Sequence, residues 1–586
     1  MNCNPPADGS RREESRRSFL QVLGAAALVP CARLQPLAAS EILLPAAPSP
    51  RSAAPPELLP IPEYMIYAQL PDRRLLGICG APRGDRLVAR TSLDSGATWG
   101  PVGPLFRLDP AVGGWALHNG FLDRAGELHL IFTNDAHTPA RAKSLYDVHY
   151  DIWHARSRGG RATWVAPNLV WRGYAGSLLS FLQLSTGRIV LPFCYLTPRT
   201  WAHRGTGFAD YTFLGRFSST AAYSDDDGAT WHASTSELSI PTPQIGDDGG
   251  IEPIVLERQD GSLWMLIRSQ NDRFFESFSR DGAVWSHPRP TALLSSDSPC
   301  SLTRLRDGRV VMMWNNTQRF PYANGGRAVL HGAISEDDGR TWRGYREIAR
   351  NPLAGEPPPP NGDHGVTYTV PALTAEGQLV TSLSTGPGGG TYLLRWNPEW
   401  LYETSRAADF SSGLDDWTSF GTHGVALEPH PQAPGRKVLA IKKPDSAWPA
   451  GTTWNFPAGR RGLLRLRIRI LSGFAGALLG LTDHFSVPFD AQDRFWNVFN
   501  LDLEPGGSLH GASAFRLGQW YDLQLSWDCD RHSCSVSRDG HRLATLPMLR
   551  ETPGPCYLRL RSTAPTVDRG GLQIESLVTD VSASWV

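Results

Sequence analysis

Ser92-Leu93-Asp94-Ser95-Gly96-Ala97-Thr98-Trp99 is the stretch whose reading decides the fold, because it recurs. It returns as Ser224-Asp225-Asp226-Asp227-Gly228-Ala229-Thr230-Trp231 and as Ser335-Glu336-Asp337-Asp338-Gly339-Arg340-Thr341-Trp342. The shared pattern, Ser-x-Asp-x-Gly-x-Thr-Trp, is hairpin chemistry. Asp and Ser cap backbone amides in a tight turn, Gly takes a positive φ, and Trp packs beneath. A shortened copy runs Ser279-Arg280-Asp281-Gly282-Ala283-Val284-Trp285, and a worn one spans Ser157 to Trp164. These carboxylates are expected to be structural, and no catalysis is assigned to them despite their recurrence.

A second repeat is interleaved with the first. A turn with Gly or a charged residue leads into an apolar strand, as in Asp72-Arg73-Arg74-Leu75-Leu76-Gly77-Ile78 and Gly126-Glu127-Leu128-His129-Leu130-Ile131-Phe132. Further copies begin at Gly187, Gly261, Gly308 and Gly377, which makes six between about 60 and 400. One sheet per copy predicts a six-bladed β-propeller. No stretch of helical period separates the strands, which disfavours a parallel α/β fold. After about residue 404 the boxes stop, and alternation takes over. Leu464-Arg465-Leu466-Arg467-Ile468-Arg469-Ile470 and Trp520-Tyr521-Asp522-Leu523-Gln524-Leu525-Ser526-Trp527 read as half-exposed strands, with Asp539-Gly540 as a hairpin turn. The expected fold class is all-β: a propeller over 58–404 and a β-sandwich (jelly-roll) over 405–586.

The chain has 586 residues, too many for one hydrophobic core. Lys+Arg and Asp+Glu both number 57, so no nucleic-acid or anionic-membrane partner is implied. No apolar run reaches ~18 residues, so no transmembrane helix is expected. Ser15-Arg16-Arg17-Ser18-Phe19-Leu20-Gln21 precedes a short apolar stretch, Val22 to Val29. That is a twin-arginine export signal over 1–40, with Ala38-Ala39-Ser40 as the cleavage site and a Pro/Ala-rich linker over 41–57. Pro30 before Cys31 argues against lipid attachment. The expected location is periplasmic or secreted. The eight cysteines form no metal pattern. Cys529 and Cys534 are the close pair, either a clip between strands or two thiols. No cofactor and no metal are expected.

In a propeller the first strand of each blade lines the central channel. Aligned on the second repeat, Glu252 lies nine residues before Gly261, and Tyr368 lies nine before Gly377. His118 lies eight before Gly126. Arg268 follows the strand begun at Gly261, and Arg327 precedes the box at Ser335. Singly, such a Glu is a solvated surface residue, such a Tyr is core, and such an Arg lies over a sheet edge. The shared register is what points them at one pocket.

The boxes resemble the Asp boxes of the sialidase superfamily. Ile251-Glu252-Pro253-Ile254-Val255-Leu256-Glu257 through Ile267-Arg268 is similar to the segment with that family's catalytic Glu and second triad arginine. Arg327 resembles the third triad arginine, and Tyr368-Thr369-Val370-Pro371 resembles the nucleophile segment. The carboxy-terminal region looks like a laminin-G or concanavalin-like domain. The resemblance implies an exported exo-glycosidase that hydrolyses a terminal sialic acid or related acidic sugar from a glycan or glycoconjugate. A neutral Tyr nucleophile, deprotonated by Glu as attack begins, avoids repulsion from a substrate carboxylate. Guanidinium forks bind that carboxylate in a bidentate way. The sequence departs from the family at Tyr64-Met65-Ile66-Tyr67-Ala68, where Met65 stands in place of the first triad arginine. The triad is then incomplete unless another arginine, Arg83 or Arg86, fills in. Asp85 is the candidate acid, with His118, Asp135 and His137 as alternatives. A propeller glycosidase or lyase on another sugar and a non-catalytic glycan-binding propeller are the competing readings.

Overall fold

The computed structural model describes residues 53–81, 84–109, 114–137, 149–197, 216–242, 249–317, 326–354, 365–384, 390–419, 423–486, 491–509, 511–581 and 586. The export signal, its cleavage site, Cys31, most of the linker and Arg83 lie outside the described residues. So do the side chains of Asp135 and His137.

The described residues form antiparallel sheets joined by turns and short 3-10 segments. Six sheets follow one another along the chain between residues 57 and 396. The first is Ile66–Gln69, Leu75–Gly80, Arg86–Ser92 and Gly103–Arg107. The second is Trp115–Leu122, Leu128–His137, His149–Arg158 and Asn168–Trp171, with Thr163–Trp164 added to its third strand. The third is Leu182–Gln183, Ile189–Thr197, Arg216–Ser224 and His232–Ala233. The fourth is Ile251–Glu257, Leu263–Arg268, Arg273–Ser279 and Arg289–Leu294. The fifth is Ser301–Arg304, Val310–Trp314, Val329–Ser335 and Arg343–Arg350. The sixth has Ala372–Leu373, Leu379–Ser384 and Thr391–Trp396, and takes its last strand, Glu57–Pro60, from the other end of this region.

The second repeat of the sequence is the second strand of every one of these sheets. Leu263–Arg268 shows why it reads as a continuous apolar run: all six of its residues are buried. The boxes are the hairpins after the third strands. In the box at Ser224, Gly228 N–H donates to Ser224 Oγ at 2.8 Å, and Thr230 N–H and Oγ1 donate to Asp226 at 2.8 and 2.6 Å. The boxes at Ser92 and Ser335 repeat those bonds. Their glycines also lie against a neighbouring sheet. A Cβ on Gly228 would stand 2.2 Å from His154 of the second sheet, and one on Gly339 would stand 2.5 Å from Trp264 of the fourth. One on Gly96, in the first sheet, would stand 2.2 Å from Leu393 of the sixth.

Beyond residue 404, strands assemble into an eight-stranded and a five-stranded antiparallel sheet. Both contribute to one apolar core, Leu464, Leu466 and Leu525 from the first and Trp454, Leu479 and Phe499 from the second. Leu464, Leu466, Ile468 and Ile470 are buried while Arg465 is exposed, which is the alternation seen in the sequence. Asp539 and Gly540 turn the hairpin with φ of 47° and 80°. Cys529 and Cys534 are both free thiols buried in this core.

This region is tied to the fifth sheet. Phe485 N–H donates to the Asn316 carbonyl at 2.8 Å, and Ala458 N–H to the Gly344 carbonyl at 2.9 Å. His331 Nδ1 accepts Asn316 N–H, so its Nε2 donates to Tyr557 OH at 2.5 Å, and Tyr557 donates onward to Glu347 at 2.7 Å.

Candidate active site

Glu252 and Pro253 form a bulge in the first strand of the fourth sheet. Ile251 pairs with Arg268 and Ile254 with Leu266, so two residues face one. Pro253 has no N–H to contribute to a ladder, and a bulge is where a strand tolerates that. The bulge gives Glu252 a φ of +50°, and its N–H donates to Cys194 Sγ at 3.3 Å. Tyr368, just before the first strand of the sixth sheet, has a φ of +59°. Its carbonyl accepts a bond from Tyr64 OH at 3.0 Å. A non-glycine residue in this region of φ is strained by about 1–3 kcal/mol and persists only where its surroundings hold it.

These backbones aim two side chains at each other. The Tyr368 hydroxyl lies beside Glu252 and accepts from Arg268 Nη1 at 3.1 Å. Arg268 Nη1 also donates to Glu252 Oε2 at 2.6 Å. Burial and the neighbouring Glu252 charge push the Tyr368 phenol up to about 12. Burial opposes the charge on Arg268, but Glu252 and Asp297 outweigh it and hold the guanidinium well above its ordinary range. Arg327 stacks over the Tyr368 ring, 5.3 Å from its centroid. Four residues chosen from sequence register, Glu252, Tyr368, Arg268 and Arg327, thus come together.

His118 stands in the cleft that Glu252 lines, a space of about 370 Å³ walled also by Tyr150, Tyr174 and Phe217. It is the extra residue of a bulge between Leu117 and Asn119, the same device that presents Glu252. Its Nδ1 accepts Leu178 N–H at 3.4 Å, which leaves the proton on Nε2, donated to Thr133 Oγ1 at 2.8 Å. Burial holds it neutral, with its pKa down to about 4.

Asp85 is paired with its neighbour Arg86 at 2.6 Å. Met65 is 1% exposed and packs with Ile61, Tyr67, Leu75, Val380 and Leu393, between the first and sixth sheets. Among the described residues, no group of three or more His, Cys, Asp or Glu is arranged to hold a metal ion.

Asp297 was not legible in the sequence. It sits in the turn Ser295-Ser296-Asp297-Ser298 that leads from the fourth sheet to the fifth. Its carboxylate accepts Arg268 Nε at 2.8 Å and Gln270 Nε2 at 3.1 Å. Its carbonyl accepts Arg327 Nε and Nη2 at 3.2 and 2.8 Å. Burial would raise its pKa, but Arg268 and these bonds hold it below the usual carboxylate range. A polar Ser-rich turn reads as ordinary loop, so only its neighbours in space mark it.

Residues 116–381 match the family described as BNR repeat-like domain. No curated protein matches the chain. Among solved structures, the Trypanosoma rangeli sialidase in complex with sialic acid is 14% identical, covering 92% of this chain and 95% of that one at a TM-score of 0.37. A Dyadobacter fermentans protein of unknown function is 16% identical, covering 59% and 98% at a TM-score of 0.42. The Hadza microbial sialidase Hz136 is 15% identical, covering 56% and 64% at 0.39.

Proposed function

We propose, from the match of residues 116–381 to the BNR repeat-like domain family, that the chain belongs to the sialidase/BNR-repeat superfamily and is a retaining exo-glycosidase with Tyr368 as nucleophile and Glu252 as its base. The observation that carries this reading is that Arg268 Nη1 donates to both the Tyr368 hydroxyl and Glu252, which stand on two backbones of positive φ. A phenol pushed up to about 12 is neutral at pH 7 and needs a base at the moment of attack. Tyr368 oxygen bonds to the anomeric carbon, its proton passes to Glu252, and the glycosidic oxygen leaves with a proton from an acid. Water then releases the sugar by the reverse path. Asp85 and His118 remain the acids to test.

In this reading the six sheets are the blades of a propeller, which the box glycines on neighbouring sheets and the strand Glu57–Pro60 in the sixth sheet support. The two sheets after residue 404 form a sandwich beside it. The twin-arginine segment directs the protein to the periplasm or beyond. A terminal sialic acid or related acidic sugar is the substrate the family resemblance suggests, with Arg268 and Arg327 on its carboxylate. The burial of Met65 among apolar side chains favours the second reading, a different sugar on the same machinery.

The test is a panel of fluorogenic sialosides, uronides and neutral glycosides. At least one should be hydrolysed by the wild type, with kcat reduced by about 10³ or more in Tyr368→Phe and about 10²–10⁴ in Glu252→Ala. Silence of the wild type on every glycoside, with binding on a glycan array, would replace the enzyme by a glycan-binding protein.

A further inference from the structure

A guanidinium can grip a carboxylate in two parallel bonds along two edges, Nε with Nη2 and Nη1 with Nη2. On Arg268 both edges already carry a protein carboxylate: Asp297 Oδ1 at Nε, 2.8 Å away, and Glu252 Oε2 at Nη1, 2.6 Å away. The three side chains are 6%, 10% and 7% exposed, so solvent does little to weaken these pairs. Arg327 is engaged along its own Nε and Nη2 edge by the Asp297 carbonyl. One residue thus occupies an edge of each arginine. Two cations face two carboxylates, and a third carboxylate from a substrate would enter beside two like charges in a buried site. Nor does Met65 bring a third cation, since it lies in the core between the first and sixth sheets.

We infer that Asp297 is a specificity-determining residue that closes Arg268 and Arg327 to a substrate carboxylate, so that the site takes a sugar bearing no carboxylate at its anomeric carbon. The inference rests on the Tyr368/Glu252 reading for where the sugar sits. Arg268 then serves the reaction from inside the protein: it holds Glu252 and the Tyr368 oxygen in place. The negative charge that a substrate carboxylate would bring to Arg268 is already supplied by Asp297.

The probe is 2,3-didehydro-2-deoxy-N-acetylneuraminic acid, a ring acid with its carboxylate at the anomeric position, titrated calorimetrically into wild type, Asp297→Asn and Asp297→Ala. Asp297→Asn keeps the shape of the turn and removes only the charge. Melting temperatures identify which variants are folded. The expected result is no measurable heat with wild type and binding at least about a hundredfold tighter in a folded variant, the release of one like-charge contact. Binding by the wild type overturns the inference. So does the absence of binding in every folded variant, because Asp297 would then not be what excludes the acid. A separate arm keeps the underlying reading distinct: hydrolysis of neutral fluorogenic glycosides by wild type and by Tyr368→Phe. If that arm fails, the glycosidase reading falls, while the calorimetric result still says whether Asp297 governs anion entry.

Discussion

Glu252 and Tyr368 carry left-handed backbones without being glycine, and each makes a backbone hydrogen bond with a distant part of the chain. The sheet register brought both to notice, since each lies at the same offset before its strand repeat. What the register could not convey was the strain. It comes from a bulge and from the turn before a strand, and both depend on the partner strand. The cost can be separated from the loss of the carboxylate. Glu252→Gly and Glu252→Ala both leave Arg268 short of a partner, but only Ala keeps a Cβ at φ +50°. The glycine variant should be the more stable by about 1 kcal/mol, read by denaturant unfolding. Equal stability would mean that this backbone is not strained.

The boxes are elements in which the same residues do two jobs. Ser, Asp and Thr close the hairpin on itself, and the glycine lets it lie against the neighbouring sheet. The first job is written in the motif, because it uses contacts within eight positions. The second is not, because Trp264 and His154 belong to other repeats. Gly339→Ala should therefore cost more than a surface turn glycine would. Its φ is +84° and its new Cβ would meet the Trp264 ring, so a loss of about 2–4 kcal/mol is expected in equilibrium unfolding. Gly377→Ala, also at positive φ but with nothing within 4 Å, is the control. An equal loss in both would show that φ alone decides, and that the close approach to Trp264 does not matter.

Across the whole molecule, buried histidines act in the same direction. Burial brings His118, His331 and His484 down to about 4 and His154 to about 3, from 6.5. A depressed folded pKa means that the unfolded chain binds the proton more readily. Stability is then complete above about pH 6.5 and is lost as pH falls towards 4, by up to about 1.4 kcal/mol per pH unit for each group. The melting temperature should fall steadily across that window, and a flat profile would contradict the buried, neutral assignment. His331 is the informative one, since it lies in the Tyr557–Glu347 link to the carboxy-terminal sheets. The Tyr557→Phe variant should narrow neither the window nor its sign.

What the sequence determined by itself was everything carried by short-range pattern. Box hairpins, six apolar strand repeats, an alternating carboxy-terminal region and the offsets of Glu252 and Tyr368 all follow from periods and turns that span a few residues. The expected position of Asp85 also came from sequence order, and the structure pairs that residue with Arg86. Only the tertiary structure decided which groups meet. Asp297, Gln270, Cys194 and Tyr64 reach the site from four different places in the chain, and no local pattern encodes a contact between separate sheets. The physical reason is that register along a strand is set by neighbours in sequence. The charge balance around Arg268 is set by neighbours in space.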